Sequence, residues 1–407
     1  MRNRHPETDR PIHSKNRRRG EEKRTRNYGS VTSIPTVLPT YASINLTALA
    51  HNLSCIKRYL APDCQVMAIV KANAYGHGVL ETAQALARQG IERFAVASLD
   101  EGIALRQAGL STSIVVLGAL FEEQISDLVA HRLTPVVSDA HILPVLIKAT
   151  QSHPAPYPIH LKVETGMGRL GFSPAKLLPL FDEMLLRGPL QVEGLMTHLA
   201  DADGKYSSVT EHQLETFGAV LSQIRQRGIT LPFVHTANSA AIVRFPNAHF
   251  SLVRPGIMLY GYHTLPDTIP TPDLRPVLTL RTTVGQLRTI PQGGTVSYNG
   301  TFVATRPTRI AVLPIGYADG YSRRLSHRGL VLIQGRRVPI VGLVCMDMIM
   351  VDVTDLAPVR IGEPVILIGQ QGEESIWADE VAGWIDTIPY EILCGIGSRV
   401  PRLYESA

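Results

Sequence analysis

The sequence predicts an α/β chain built as a (β/α)8 TIM-type barrel followed by a smaller β-rich domain. Three observations carry that prediction. Eight short apolar runs alternate with amphipathic segments from Gln65 onward, a proline-rich stretch then breaks the rhythm, and closely spaced β-type runs fill the remainder. At 407 residues the chain also exceeds the usual size of one hydrophobic core, which independently predicts two domains.

Residues 1–33 carry ten Lys/Arg against four Asp/Glu, a balance of +6, so the net charge of +5 leaves −1 for everything else. With no apolar run to anchor a fold, this segment reads as a disordered basic extension or a start assigned too early. Arg17-Arg18-Arg19 with Lys23, Arg24 and Arg26 also suits contact with nucleic acid or an anionic surface. Nothing else supports that contact, so no nucleic-acid partner is expected. With 44% apolar and 18% charged residues the chain reads as soluble and globular. No apolar run approaches the ~18 residues of a membrane span, and the N-terminus lacks a signal-peptide core, which predicts a cytoplasmic protein without a membrane partner. Cys55, Cys64, Cys345 and Cys394 show no paired metal-ligand spacing, so reduced thiols and no metal are expected.

The barrel domain is expected over 34–275. Tyr41 to Asn45 alternates like a strand and Leu46 to Leu60 has helical periodicity, and both are read as leading into the barrel. The candidate strands are Gln65 to Val70, Arg93 to Ala97, Ser113 to Leu117, Thr134 to Val137, Ile159 to Val163, Leu190 to Met196, Phe233 to Thr236 and Phe250 to Arg254. The first runs straight into Lys71, which puts an amine at a strand's carboxyl end beside an apolar interior. Desolvation there disfavours the ammonium form and leaves a nucleophile suited to a carbonyl. Tyr75 follows, then two glycines and a helical run from Val79 to Arg88. Gly166-Met167-Gly168-Arg169-Leu170-Gly171 satisfies the dinucleotide pattern G-x-G-x-x-G. The next helix, however, is capped at Ser173 with Pro174 in its first turn, so no glycine opens a helix onto a pyrophosphate. Pro266, Pro270, Pro272 and Pro276 mark a linker over Tyr262 to Pro276. The β-rich domain, 276–407, follows with runs Leu278 to Ile290, Arg309 to Pro314, Gly329 to Gln334, Arg337 to Val341, Ile349 to Val353 and Val365 to Ile368, and one short helix, Ala378 to Asp386.

In a barrel of this kind the carboxyl ends of the strands form the chemical face. Lys71 follows strand one, Arg169 strand five, His198 strand six, Asn238 and Ser239 strand seven, and Arg254, Gly256 and Ile257 strand eight. Loops after strands seven and eight commonly hold phosphate, and exposed backbone N–H groups there bind anions. An amine across the mouth from a phosphate cradle is the layout that pyridoxal phosphate needs. Singly, Lys71 also fits a surface lysine, His198 a hydrogen-bonded core histidine, and Arg254-Pro255-Gly256 a turn. Their convergence on one face favours the site.

Val-Lys-Ala-Asn-Ala-Tyr-Gly-His-Gly (Val70 to Gly78) resembles the pyridoxal-phosphate motif of alanine racemases. The resemblance continues, in family order, through Lys162 to Arg169, Thr197-His198, His235 to Ser239, Arg254 to Ile257, Val296 to Tyr298, Gly316 to Gly320, Cys345 to Asp347 and Pro389-Tyr390. It implies interconversion of L-alanine and D-alanine, supplying D-alanine for peptidoglycan, with pyridoxal 5'-phosphate as cofactor and a homodimer sharing its sites. Lys71 would carry the cofactor as a Schiff base and act on D-alanine. Tyr298 of the partner subunit would be the opposite base, acting on L-alanine. Tyr75, Ser239, Gly256, Ile257 and Tyr390 would hold the phosphate, with Asn238 nearby. Arg254 would face the pyridine nitrogen with His198 in support. Arg169 would contact the cofactor's phenolic oxygen and the substrate carboxylate, which the Met346 amide would also bind. The residue matching Lys162 can be carbamylated in this family, which would give Arg169 an anionic partner.

These roles make physical sense. Inverting a stereocentre needs proton removal on one side and delivery on the other, hence two bases. A phenol is a weak base at neutral pH, so cations such as Arg254 and His198 are expected to favour its phenolate. An arginine at the ring nitrogen weakens the electron sink and suppresses side reactions. Two rival classes compare less well. A pyridoxal-phosphate decarboxylase of this architecture would carry a cysteine acid where Tyr298 stands, and a non-catalytic cofactor carrier would lack the second domain. Serine or broad-specificity racemase activity remains an alternative within the family.

Overall fold

The computed structural model describes residues 38–180 and 188–405, so the basic extension lies outside the described residues. Its first strand, β1 (Tyr41–Asn45), leads into a helix, Leu46–Lys57, whose first turn is capped by Asn45 accepting from Ala48 N at 2.9 Å. Eight parallel strands follow: β2 (Gln65–Ile69), β3 (Arg93–Val96), β4 (Ser113–Val116), β5 (Thr134–Val137), β6 (Tyr157–Lys162), β7 (Leu190–Met196), β8 (Phe233–His235) and β9 (Leu252–Val253). They pair in the order β8-β7-β6-β5-β4-β3-β2-β9, all in parallel. The ring is joined between β8 and β9 by Ser251 N donating to Val234 O at 3.2 Å and Arg254 N donating to Ala237 O at 3.0 Å. Near-continuous apolar runs form these strands because helices cover one face and the packed interior the other. Ile69, Phe94, Val115 and Val137 are buried accordingly.

The remaining strands are β10 (Leu278–Thr283), β11 (Gln286–Ile290), β12 (Thr295–Val296), β13 (Phe302–Val303), β14 (Thr308–Leu313), β15 (Leu330–Ile333), β16 (Arg336–Pro339), β17 (Ile349–Asp352), β18 (Pro364–Gln371), β19 (Glu374–Ile376) and β20 (Arg402–Glu405). The main sheet runs β16-β15-β18-β10-β1-β20 with β19 on β18, beside a three-stranded sheet β11-β14-β17 and a hairpin β12-β13. Two expectations change here. The leading strand β1 bonds antiparallel to β10 and parallel to β20, so it is a sheet strand of the β-rich part, reached from the opposite end of the sequence. The run Leu278 to Ile290 is two strands, because at Val284-Gly285 the chain leaves one sheet for the other, Val284 N donating to Glu363 O and Gly285 N to Val312 O.

The proline-rich stretch is pinned to the first helix. Asn52, fully buried, donates to Arg275 O at 2.8 Å and to Leu259 O at 3.0 Å and accepts from Arg275 N at 2.7 Å. Burying such an amide is tolerable only with its bonds made. Among the described residues no helix is long and apolar enough to cross a membrane.

Candidate functional site

Lys71 emerges at the carboxyl end of β2, and the four residues after it turn the wrong way. Ala72, Asn73 and Ala74 at φ 53 and Tyr75 at φ 52 make a left-handed turn that closes through Gly76 and Gly78. An L-residue loses roughly 1–2 kcal/mol in that conformation, so the surroundings must hold it there. The Glu101 carboxylate accepts from Ala72 N at 2.6 Å and also from Ala97 N and Ser98 N. Asn73 Oδ1 accepts from Val79 N, His77 Nδ1 donates to the carbonyls of Ala74 and Tyr75, and Arg402 Nε donates to Gly76 O. A Cβ at Gly76 would strike the Leu393 carbonyl, and one at Gly78 the Tyr404 hydroxyl. The β-rich part therefore presses the turn into shape from behind.

In front of the turn lies a cavity of about 480 Å3. It gathers Lys71, Tyr75, Lys162, Arg169, His198, Asn238, Ser239, Arg254, Gly256, Ile257, Tyr390 and Cys394. Four of these are Lys or Arg and none is Asp or Glu, so the cavity suits an anion. The Tyr75 ring stacks on Tyr260 at 4.8 Å and tilts against Tyr390 at 5.8 Å, while Tyr260 is fixed by donating to Ile69 O. Asn238 caps the short helix Ser239–Arg244, and Ser239 Oγ accepts from Gly256 N at 2.9 Å. Gly256 is bare because the Tyr75 hydroxyl fills the place of its Cβ. Burial raises Tyr75 well above the usual phenol range and Tyr390 to about 12, so both hydroxyls stay donors.

Arg254 is the buried centre of the floor. Its Nη1 donates to His235 O at 2.8 Å and His235 Nδ1 at 3.0 Å, and its Nη2 to Thr197 O, Thr236 O and His198 Nδ1 at 2.9, 2.9 and 3.3 Å. Among the described residues nothing accepts from its Nε–H. Beyond Arg254, His235 Nε2 meets His160 Nδ1 at 2.8 Å and His160 Nε2 meets Glu193 at 3.2 Å. Burial, then the positive charge of Arg254, pushes His198 down to about 2. The expectation of a cationic His198 is thereby corrected: it is a neutral imidazole accepting at Nδ1, with any donation left to Nε2. Burial, then Arg169 and Arg254, lowers Lys162 to about 8, and burial with Arg169 lowers Lys71.

The glycine-rich loop before helix Pro174–Leu180 opens no helix, as anticipated. It wraps the Glu164 carboxylate, which accepts from Gly166 N at 2.5 Å and Arg169 N at 3.2 Å and so carries Arg169 to the cavity. Tyr298 and Met346 stand apart from the cavity. They line a second groove, of about 510 Å3, with Ser297, Cys345, Asp347 and Met348, and are 67% and 52% exposed.

Sequence reasoning missed Glu101, His77, His160 and Cys394. His160 carried a signal, a histidine within an apolar strand. Glu101 sits in an ordinary capping box with Ser98, which hides its second duty.

Comparison with known proteins places this geometry. Residues 44–264 match the model of the alanine racemase N-terminal domain and 277–404 that of the C-terminal domain. The chain is 45% identical, over 90% of its length and 99% of the relative's, to the alanine racemase of Carboxydothermus hydrogenoformans. It superposes at a TM-score of 0.87 on the alanine racemase of Clostridium difficile, 33% identical, covering 91% of this chain and 97% of that one. The Bartonella henselae alanine racemase, solved with covalently bound pyridoxal phosphate, gives 0.81 at 32% identity, covering 91% and 100%.

Proposed function

The chain belongs to the alanine racemase family and interconverts L- and D-alanine, and from that premise we propose that it works with pyridoxal 5'-phosphate and two bases, Lys71 and Tyr298 of the partner subunit. One observation carries this reading: a strand-end lysine and an anion cradle built from Ser239, Gly256, the buried Tyr75 and the half-buried Tyr390 line one cationic cavity. When bound there, the cofactor supplies an electron sink for the charge left at the α-carbon.

The residues fit that guest. Tyr75, Tyr390, Ser239 and the Ile257 amide would hold the phosphate, with Asn238 beside them and Gly256, whose N–H donates to Ser239 Oγ, giving the backbone room to approach. Arg254 has both terminal nitrogens committed, and its Nε–H remains to meet a ring nitrogen. A guanidinium gives up its proton far less readily than a carboxylic acid, so Arg254 would leave a bound ring nitrogen unprotonated and restrain side reactions. Arg169 meets the substrate carboxylate, to which the Met346 amide of the partner subunit also donates. Burial, then Arg169, lowers Lys71, which would favour its Nζ as nucleophile and proton acceptor toward a group bound in the cavity. Tyr298 of the partner subunit would hold or move the proton opposite Lys71. The depressed, buried Lys162 is a ready amine for carbamylation, which would turn a crowding cation into a partner for Arg169.

The exposed Tyr298 and Met346 support a homodimer in which each chain completes the other's site. We further propose a barrel domain from the first helix to about residue 275, a β-rich domain after it that takes β1 into its sheet, a cytoplasmic location, and D-alanine supply to the cell wall as the use. The decisive experiment mixes Lys71→Ala with Tyr298→Phe subunits. Random pairing should restore about a quarter of the wild-type activity, from the one intact site of each mixed dimer. No recovery would refute the shared site.

A further inference from the structure

We propose that His51, Cys55 and Asp273 form a binding site for a zinc-class divalent cation at the seam between the first helix and the proline-rich stretch. His51 and Cys55 lie four residues apart on helix Leu46–Lys57 and so share one of its faces. Asp273, 218 residues beyond Cys55, is brought to that face by the bonds of Asn52 to Arg275. None of the three lines the lysine cavity.

The geometry is close to that of a metal site. One ligand atom from each side chain lies within 4.8 Å of the others. His51 Nε2 is 3.4 Å from Cys55 Sγ and 3.3 Å from Asp273 Oδ2. Tetrahedral zinc, with bonds of about 2.0–2.3 Å to nitrogen, oxygen and sulfur, sets ligand atoms roughly 3.3–3.6 Å apart. Two edges of the polyhedron therefore already have the right length, and a water would take the fourth corner. Cys55 is buried while His51 and Asp273 reach solvent, so the soft ligand is shielded and the ion's route is open.

Without an ion, the cluster holds two protons on one acceptor: Cys55 Sγ donates to Asp273 O at 3.0 Å, and His51 Nε2 approaches the same carbonyl at 2.9 Å. Binding releases the thiol proton to solvent and moves the imidazole proton from Nε2 to Nδ1. A thiolate and a carboxylate then balance the dication. Arg58, whose Nη2 lies 2.9 Å from Sγ, can keep donating to the coordinated sulfur. The expectation of no metal considered cysteine pairs alone and had no means of seeing a third ligand so distant in sequence.

The test uses the full-length, cofactor-loaded enzyme, stripped with a chelator, desalted and titrated with zinc chloride. We expect one zinc per chain, a raised thermal midpoint, and with cobalt chloride the intense visible bands of a four-coordinate thiolate site. Cys55→Ser and Asp273→Asn should each weaken zinc binding by at least about tenfold and leave racemase activity of the zinc-free enzyme unchanged. Failure of the wild type to retain one equivalent, or equal binding by Cys55→Ser, overturns the site and leaves a purely hydrogen-bonded clamp. The wild-type stoichiometry decides on its own should a variant fail to fold.

Discussion

The lysine cavity and the Tyr298 groove are built in opposite ways. Around Lys71 everything is over-determined: a left-handed turn held by Glu101, Arg402 and two crowded glycines, a stacked pair of tyrosines, and a guanidinium with both terminal nitrogens bonded. Around Tyr298 little is. The residue follows a short hairpin strand, with Ser297 and Asn299 on either side at positive φ, and is 67% exposed. The contrast teaches that one chain carries a tightly held cavity, a socket, and a loosely held, exposed tyrosine, a plug, a pairing that fits the proposed symmetric dimer with sites across its interface.

The largest effect should come from the socket. Lys71→Ala should lower racemisation at least about 10^4-fold if, as proposed, one residue supplies both the covalent tether and a proton acceptor. Absorbance spectroscopy should also show loss of the lysine-bound cofactor band. Retained turnover would mean that the cavity is not the site. On the plug side, Tyr298→Phe should cost roughly 10^2–10^4 in turnover, the usual worth of one acid–base group. Here the cofactor spectrum should be unchanged, because the phenol holds no part of the cradle. A variant that lost cofactor as well would erase the distinction between the two regions.

Arg254→Leu tests the over-determination itself. It strands the carbonyls of Thr197, His235 and Thr236 in the barrel interior, so unfolding in urea should reveal a loss of about 3–5 kcal/mol. A comparable loss from Tyr298→Phe would contradict the picture of a loosely held plug.

The same contrast decided what was legible in the sequence. Thr134–Val137 falls where its short buried run predicts, and Leu190–Met196 is found at its predicted bounds although Gln191 and Glu193 interrupt the apolar pattern. The last barrel strand is only Leu252–Val253, cut short by Phe250 at φ 48 and by the turn at Pro255. Lys71, Ser239, Gly256 and Arg254 were readable as strand-end residues. The left-handed turn was not, since Ala-Asn-Ala carries no glycine at the positions that need one, and its supports, Leu393 and Arg402, come from the far end of the chain. The neutrality of His198 was hidden for a like reason: it depends on Arg254 lying within reach, which only the closed barrel provides.

The smallest effect per group separates the regions by pH. His77, His198 and His235 are depressed by burial, to about 4, to about 2 and far below normal respectively. All three lie on the socket side, and none lines the Tyr298 groove. In the unfolded chain a histidine takes up a proton below about 6.5. The folded chain refuses it, so the unfolded state binds more protons and stability falls as pH falls. Each such histidine should remove about 1.4 kcal/mol between pH 7.5 and 5.5, continuing downward until its own folded value is reached. Urea midpoints across that range should show the decline. Hydrogen exchange should locate the first loss of protection in β7, β8 and the turn after Lys71, ahead of the β12-β13 hairpin. Simultaneous loss in both would mean that the barrel and the groove unfold as one unit, and that the rigidity of the socket extends to the plug.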